Sequence, residues 1–288
     1  MPLCRVTLIR PHGPTGGDAP TPGPARETRH PWGVEATWTG PLADPASYRA
    51  GLRARAAAVG WDAAVLTGPL AERPARLLVM DVDSTLITAE VIDLLADAAG
   101  SGQRVAEITE RAMHGELDFA SSLRERVATL AGLGAGVLAE VAHTISFSPG
   151  AQDLVAAARA SGAKVGVVSG GFIEVVRPLA EAAGIDYATA NRLEVADGRL
   201  TGRTVGEVID RAAKLRHTRR YAGLAAADMA EVVAVGDGAN DLDMLAAAGL
   251  GVAYCAKPLA AAQADATVSF PRLDAVAAYA GFLVPHHG

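Results

Sequence analysis

The sequence of 288 residues has few of the features that define secreted, membrane-spanning or zinc-binding proteins. Only Cys4 and Cys255 are cysteines, which is too few for a disulfide framework and favours a reducing cytoplasm. No apolar run reaches the roughly 20 residues that a membrane helix needs, and the N-terminus lacks the apolar core of a signal peptide. The seven histidines show no zinc-ligand spacing. We therefore expect a soluble, cytoplasmic protein without a membrane partner.

The balance of charged and apolar residues narrows the class further. The formal net charge is -6, which argues against nucleic acid or an anionic membrane as the main partner. It does not exclude an anionic substrate, because a bound metal and a few local cations can dominate one cleft. Hydrophobic residues make up 50% of the chain, which is enough for a sizeable core. The length permits one large α/β domain and a small additional module.

The first 72 residues differ in texture from the rest. Residues 11–31 are rich in proline and glycine and are predicted to form a loop. Residues 6–9 and 63–66 are predicted strands, and residues 48–59 have the composition of a helix. We expect a small α+β module over residues 1–72, with an N-terminal extension packed on the main domain as the alternative.

From residue 77 onward, short apolar runs alternate with alanine-rich segments of helical composition. This alternation predicts a doubly wound, Rossmann-like parallel sheet, in which ligands bind beyond the carboxyl ends of the strands. Apolar residues at helical spacing predict a cap of about four helices over residues 88–147, inserted after the first strand of this domain. Asp197-Gly198 predicts the tight turn of a β-hairpin. The predicted strands are 77–80, 164–168, 232–235, 250–253 and 267–270, and the predicted helices are 151–161, 173–183, 204–222 and 241–248.

Two acidic motifs each follow a predicted strand directly. They are DVDST at residues 81–85 and GDGAND at residues 236–241. A carboxylate can attack phosphorus when a cation shields it, so Asp81 is a candidate nucleophile and Asp83 a candidate proton donor and acceptor. Asp237 is a candidate Mg²⁺ ligand. Together the two motifs predict phosphoryl transfer through an aspartyl-phosphate.

Three further groups fit such chemistry with less specificity. Ser169, Gly170 and Gly171 end a predicted strand, where a hydroxyl and backbone N–H groups can bind phosphate. Asp241 could bind metal through water, hold a lysine or cap a helix. Lys214 could neutralise phosphate charge. Residue type alone does not select this lysine from the neighbouring cations Arg211, Arg216, Arg219 and Arg220.

These motifs, in this order, resemble those of the haloacid dehalogenase superfamily. The segments 118–127, 186–193 and 256–258 are similar to those of its phosphoserine phosphatase family, and the resemblance covers residues 75–285. It implies a HAD-type fold for residues 73–288 and Mg²⁺-dependent hydrolysis of O-phosphoserine to L-serine and phosphate, the last step of serine biosynthesis. Asp81 would be the nucleophile and Asp83 the acid and base. Mg²⁺ would be held by Asp81, the backbone carbonyl of Asp83, and Asp237, with Asp241 in support.

The resemblance also implies a set of substrate contacts. Glu90 would bind the substrate ammonium and Arg126 its carboxylate, roles that suit a carboxylate and a bidentate guanidinium. Arg111 and Arg124 compete with Arg126 chemically, and only the family pattern separates them. The implied substrate-binding residues are Glu90, Met113, Phe119, Arg126, Ser169, Gly170, Lys214 and Asn240.

The sequence leaves several alternatives open. A phosphotransferase, or a phosphatase for another small phosphomonoester, would use the same motifs. A ligand-sensing protein on a retired phosphatase scaffold would be expected to lack one of the acidic or lysine positions, all of which are present. Related enzymes carry amino-acid-binding modules of the ACT type, so residues 1–72 could be ACT-like, although the stretch 11–31 departs from that pattern. A homodimer is one open oligomeric state.

Overall fold

Two β-sheets organise the chain. The computed structural model describes residues 3–11, 26–30, 33–39, 42 and 44–282. A four-stranded sheet lies in the N-terminal part, and a seven-stranded sheet carries the remainder. No helix within the described residues is long and apolar enough to cross a membrane.

The N-terminal module is an antiparallel sheet with one helix on one face. Its strands are β1 (Leu3–Ile9), β2 (Arg26–His30), β3 (Gly33–Thr39) and β4 (Asp62–Leu66), and its helix is α1 (Pro45–Ala57). The spatial order is β2-β3-β1-β4, which is the order of a split β-α-β arrangement. Helix α1 begins at Asp44, whose side chain accepts two backbone N–H bonds. The predicted small α+β module is confirmed.

One prediction for this module is wrong. Residues 26–30 form β2. They were predicted to belong to a loop because the surrounding segment is rich in proline and glycine. The strand exists because β3, which the sequence analysis left unassigned, offers it a pairing edge from Arg26↔Thr37 to His30↔Gly33. Residues 26–28 are exposed, so β2 has no apolar alternation to reveal it. Of the rest of the predicted loop, residues 12–25 and residue 31 lie outside the described residues.

The large sheet confirms the predicted doubly wound architecture. Its spatial order is β11-β10-β9-β5-β6-β7-β8. All neighbouring strands are parallel except the hairpin pair β7 and β8, which turns at Asp197-Gly198 as predicted. The chain runs from β5 to one side and later returns to the other, so the strand order reverses at β5. The strands are β5 (Leu77–Met80), β6 (Lys164–Phe172), β7 (Tyr187–Ala196), β8 (Arg199–Val205), β9 (Val232–Gly236), β10 (Leu250–Tyr254) and β11 (Ala266–Val268).

Helices cover both faces of this sheet, and four of them form the cap between β5 and β6. On β5, Leu77 and Val79 pack towards α9 and α10, while Leu78 and Met80 belong to the larger core on the opposite face. The cap helices are α3 (Val91–Ala98), α4 (Gly102–Met113), α5 (Phe119–Ala128) and α6 (Val137–Thr144). The others are α2 (Pro69–Glu72), α7 (Ala151–Ala160), α8 (Ile173–Ala183), α9 (Arg211–Leu224), α10 (Leu242–Ala247), α11 (Pro258–Gln263) and α12 (Val276–Ala280).

Two predicted boundaries in this domain need correction. The helix predicted over residues 204–222 overlaps β8, and α9 begins only at Arg211. It begins there because the Asp210 side chain accepts from the Ala213 N–H at 2.8 Å and caps the first turn. The strand predicted over residues 267–270 is β11, one residue earlier and shorter.

Polar contacts fix the N-terminal module against the large domain. The carboxylate of Asp62, at the start of β4, accepts from the hydroxyls of Thr267 (2.6 Å) and Ser269 (2.8 Å) and from the Ser269 N–H (2.8 Å). The guanidinium of Arg53 donates to two carbonyls in and after α11, both at 2.6 Å. The two sheets therefore meet at their edge strands β4 and β11. The division of the chain at residue 72 stays a prediction.

Candidate active site

The two acidic motifs meet because the strands before them are neighbours. Met80 of β5 pairs with Val235 of β9, so the residues that follow leave the same edge of the sheet. Carboxylate oxygens of Asp81, Asp237 and Asp241 lie within 4.8 Å of one another, and all three residues are buried. The convergence that the sequence predicted is therefore present.

Lys214 joins two members of this acidic group. Its Nζ lies 2.7 Å from Oδ2 of Asp81 and 2.7 Å from Oδ1 of Asp241, and its side chain is 0% exposed. Burial disfavours the ammonium, but the two carboxylates more than offset this and raise the pKa of Lys214. Burial and the charge of Asp241 raise the pKa of Asp81, and Lys214 acts in the opposite direction. The lysine is thus a fixed positive charge beside the candidate nucleophile.

The acidic group has the donor set of a divalent metal site. Oxygen ligands from carboxylates suit Mg²⁺ and similar hard cations. Both oxygens of Asp241 already accept protein hydrogen bonds, from Lys214 and from the Gly238 N–H at 3.0 Å, so this residue organises the group. The Nζ of Lys257 lies 3.7 Å from Oδ2 of Asp237. Burial and Asp241 raise the pKa of Asp237, as expected for crowded carboxylates that a cation would relieve.

Asp83 lies beside this group and not within it. Its Oδ1 accepts from the Val91 N–H at 2.8 Å, at the start of α3, and its Oδ2 accepts from the Ser169 hydroxyl at 3.0 Å. Burial and the nearby charge of Glu90 raise the pKa of Asp83 to about 6. A carboxyl group with that pKa can both give and accept a proton near neutral pH. The side chain of Asp83 is thus placed for acid-base chemistry, and the metal role implied for this residue concerned only its backbone carbonyl.

The turn at residues 169–171, which lies near the end of β6, packs tightly against the same groups. The Gly171 N–H donates to the Ser169 Oγ at 2.7 Å. A Cβ atom at Gly171 would lie 2.7 Å from Oδ2 of Asp83, and one at Gly170 would lie 3.1 Å from the ring of Phe119 in the cap. A side chain at Gly171 would therefore displace the Asp83 carboxylate, and one at Gly170 would crowd Phe119, so the turn lies between the acid-base candidate and the cap.

The cap brings further charged candidates to the opening. Glu90 is exposed, and its Oε1 accepts from the Ser84 hydroxyl at 2.8 Å. Burial lowers the pKa of Arg126, while the carboxylates of Glu90, Asp93 and Asp83 oppose that shift. These three carboxylates therefore lie near enough for their charges to act on the guanidinium. Ser84 itself has a φ of 56°, a left-handed conformation that is unusual for serine.

Two residues that the resemblance implies as substrate-binding, Met113 and Asn240, make no hydrogen bond or ion pair with the acidic group among the described contacts. The Met113 side chain is 78% exposed and lines a cavity of 540 Å³ together with Asp93 and other residues of α3 and α4. Asn240 is half-buried in the GDGAND turn, where its Oδ1 would lie 2.4 Å from a Cβ at Gly238. Their roles in substrate binding stay predictions.

Two residues that contact the site are not among those predicted from the sequence. Asn191 is fully buried, and its side chain binds the backbone of Gly170. Lys257 approaches Asp237. For Asn191 a signal existed, because asparagine is disfavoured within strands and its presence in β7 indicates specific hydrogen bonds.

Comparison with known proteins assigns the family. The model of the haloacid dehalogenase-like hydrolases matches residues 78–246, more than half of the chain, and the protein belongs to this family. The phosphoserine phosphatase of Streptomyces coelicolor is 53% identical over 228 residues, which cover 79% of this chain and 56% of that protein. The chain thus spans little more than half the length of that relative.

Two further similarities cover their counterparts almost completely. The phosphoserine phosphatase of Streptococcus thermophilus is 52% identical over 197 residues, which cover 68% of this chain and 92% of that protein. A solved structure described as a phospho-aspartyl intermediate analogue of phosphoserine phosphatase is 40% identical with a TM-score of 0.68, and the match covers 72% of this chain and 99% of that one.

Proposed function

We propose that the protein is a Mg²⁺-dependent phosphoserine phosphatase, which hydrolyses O-phospho-L-serine to L-serine and inorganic phosphate in the last step of serine biosynthesis. The observation that carries the proposal is the 52% identity to a phosphoserine phosphatase that the chain matches over 92% of its length. The buried contacts of Asp81, Lys214 and Asp241 support phosphoryl transfer independently of that similarity.

In the first half-reaction, a carboxylate oxygen of Asp81 attacks the phosphorus atom and the bond from phosphorus to the seryl oxygen breaks. Asp83 gives its proton to the departing oxygen, so L-serine leaves as the free alcohol. The pKa of about 6 allows Asp83 to hold that proton in part of the population near neutral pH. Lys214 offsets negative charge beside Asp81 throughout this step.

In the second half-reaction, a water molecule attacks the phosphorus of the aspartyl-phosphate and Asp83 takes a proton from it. The bond between phosphorus and the Asp81 oxygen breaks, which releases inorganic phosphate and restores the carboxylate. The residues that would hold Mg²⁺ are Asp81, Asp237 and the backbone carbonyl of Asp83. When bound, the ion would neutralise charge on the phosphate and on Asp81.

Recognition of the serine moiety is proposed for the two charged groups at the opening. Glu90 supplies a carboxylate for the ammonium group, and the Ser84 hydroxyl holds one of its oxygens. Arg126 supplies a guanidinium for the carboxylate. We place Phe119, which packs over Gly170, at the apolar wall that excludes water during turnover.

The experiment that tests this function is a substrate panel on the purified protein, with phosphate release measured with and without Mg²⁺. We expect O-phospho-L-serine to be preferred over phosphoethanolamine, which lacks the carboxylate, and over glycerol 2-phosphate, which lacks both groups. Asp81→Asn should abolish turnover and leave the fold intact by circular dichroism. Equal rates across the panel would overturn the substrate assignment, and near-normal turnover by Asp81→Asn would overturn the mechanism.

Other expectations from the sequence remain proposals. The strand order of the N-terminal module is compatible with an ACT-like unit, and the cytoplasmic location rests on the two cysteines. A homodimer is tested directly by light scattering of the purified protein.

A further inference from the structure

We propose that Asn191 is a positioning residue that sets the orientation of the phosphate-binding turn at residues 169–171, an inference that rests on the proposed phosphatase activity. Asn191 lies in β7 and is 0% exposed. Its Nδ2 donates to the Gly170 carbonyl at 2.8 Å, and its Oδ1 accepts from the Ile209 N–H at 2.8 Å. One side chain thus ties the turn to the segment that leads into α9, the helix of Lys214.

The pairing of β6 with β7 skips residues 170 and 171 of this turn. In the pairing of β6 with β7, Ser169 is opposite Ala190 and the next pair is Phe172 with Asn191, so residues 170 and 171 are extra on β6. Such a bulge frees backbone groups from the ladder, and the carbonyl of the partly buried Gly170 is left to find another donor. The Asn191 amide supplies that donor to Gly170.

The two hydrogen-bond partners of Asn191 determine which end of its side-chain amide is the nitrogen and which is the oxygen. A carbonyl must receive a donor and an N–H must meet an acceptor, so the amide nitrogen faces Gly170 and the amide oxygen faces Ile209. A carboxylate at this position would keep the bond to Ile209 and lose the one to Gly170. A leucine would lose both. The site therefore uses both halves of the amide.

The orientation of Gly170 has a direct consequence for the acid-base candidate. The Gly170 carbonyl and the Gly171 N–H share one planar peptide and point in opposite directions. With the carbonyl held by Asn191, the N–H points to the Ser169 Oγ, 2.7 Å away. Because the Ser169 oxygen accepts from the Gly171 N–H, its own proton points away from that N–H. The Ser169 hydroxyl donates this proton to Oδ2 of Asp83 at 3.0 Å. Asn191 thus acts through Ser169 on Asp83.

The test compares Asn191→Asp, which keeps the shape, and Asn191→Leu with the wild type. The probes are p-nitrophenyl phosphate as substrate and inorganic phosphate as competitive inhibitor, because neither needs the groups that would recognise serine. We expect kcat/KM to fall about 10- to 100-fold, the range typical of residues that orient a reacting group. The inhibition constant for phosphate should rise several-fold, because the turn no longer presents its donors correctly.

A matched control separates positioning from general stability. Tyr221→Phe removes a partly buried hydrogen bond of 2.6 Å to the Thr189 hydroxyl, on the same strand β7 but not involving residues 169–171. It should lower the melting temperature and leave kcat/KM within twofold. Because Asn191 acts through Ser169, Asn191→Asp should cost little further activity in a Ser169→Ala background.

Three results would overturn the inference. They are kcat/KM within twofold of the wild type for both variants, losses that match the unfolded fraction measured by thermal melting, or full additivity with Ser169→Ala. Failure of the substrate assignment would look different, since the wild type would then hydrolyse p-nitrophenyl phosphate and reject O-phospho-L-serine. A wild type that neither binds phosphate nor hydrolyses either ester would overturn both proposals.

Discussion

Replacement of Lys214 with methionine should destabilise the fold and impair catalysis through one cause, the loss of a buried positive charge. The ammonium lies 2.7 Å from Asp81 and 2.7 Å from Asp241, with the lysine side chain 0% exposed. Methionine is apolar and of similar length, so the main change is two carboxylates left without their cation. Removal of one partner from a buried ion pair costs about 3–5 kcal/mol.

This free energy translates into a measurable shift of the melting temperature. The entropy of unfolding is about 2.1 cal/mol/K per residue, or about 0.6 kcal/mol/K for a chain of 288 residues. The expected decrease is therefore about 5–8 °C in the absence of divalent metal. The loss of a charge that stabilises the transition state should also lower kcat by about 100- to 1000-fold.

The assay is thermal unfolding by circular dichroism, with and without Mg²⁺, next to phosphate release. Lys164→Met is the matched control, because Lys164 also pairs with an aspartate, Asp186 at 2.6 Å, but is 52% exposed. An exposed ion pair contributes little to stability because solvent screens it, so this variant should melt within about 2 °C of the wild type. Millimolar Mg²⁺ should narrow the deficit of Lys214→Met, since a bound cation replaces the lost charge. Equal melting temperatures for the two variants without metal would refute the reasoning.

Three further predictions concern other contacts. Arg126→Ala should raise KM for O-phospho-L-serine at least tenfold, since a charge-assisted hydrogen bond to the substrate carboxylate is lost. The same variant should change kcat/KM for phosphoethanolamine less than threefold, and steady-state kinetics with both substrates measures the difference. Asp62→Ala should cost about 1–3 kcal/mol, because the donors on Thr267 and Ser269 lose their acceptor. Thermal melting and limited proteolysis should show this loss, with kcat unchanged. Burial raises the pKa of Asp186, but hydrogen bonds from Lys164 and the Val165 N–H outweigh it and leave that pKa lowered. The ionised carboxylate therefore stabilises the fold at neutral pH, and this stabilisation is lost as the pH falls through the lowered pKa. Asp186→Asn should therefore flatten the stability profile in the range where carboxylates titrate, near pH 4 and below, as urea unfolding at a series of pH values would show.

The parts of the fold that the sequence predicted well are those in which a buried strand is also a continuous apolar run. Residues 77–80 and 232–236 are buried throughout, and the acidic motifs directly after them locate the ends of the strands. Strand β2 and the start of α9 lacked such a signal. Strand β2 is polar, with residues 26–28 exposed, and the sequence of β8 is compatible with a helix until the Asp210 cap is recognised. Strand β2 depends on its pairing with β3, and the start of α9 depends on the Asp210 cap; neither feature is visible as an apolar pattern.

Strand β3 is a different case, because its pattern was visible. Residues 33–39 alternate apolar and polar side chains, and Val34 and Ala36 are buried while Glu35 and Thr37 are half-buried. This is the period of two that predicts a half-buried strand. The nearby prolines and glycines obscured it, since they indicate loops when they are considered alone.

The choice of Lys214 among five neighbouring cations shows what a sequence cannot supply. Arg211 and Arg216 are 50% and 57% exposed and pair with surface carboxylates, whereas Lys214 is fully buried. A buried ammonium is tolerated only when carboxylates compensate its desolvation, and here these come from Asp81 and Asp241, far away in the chain. Spacing along one helix cannot reveal that compensation. The positions of three separate segments therefore determine which cation lies beside the candidate nucleophile. The family resemblance identified Lys214 only because members of a family share that arrangement.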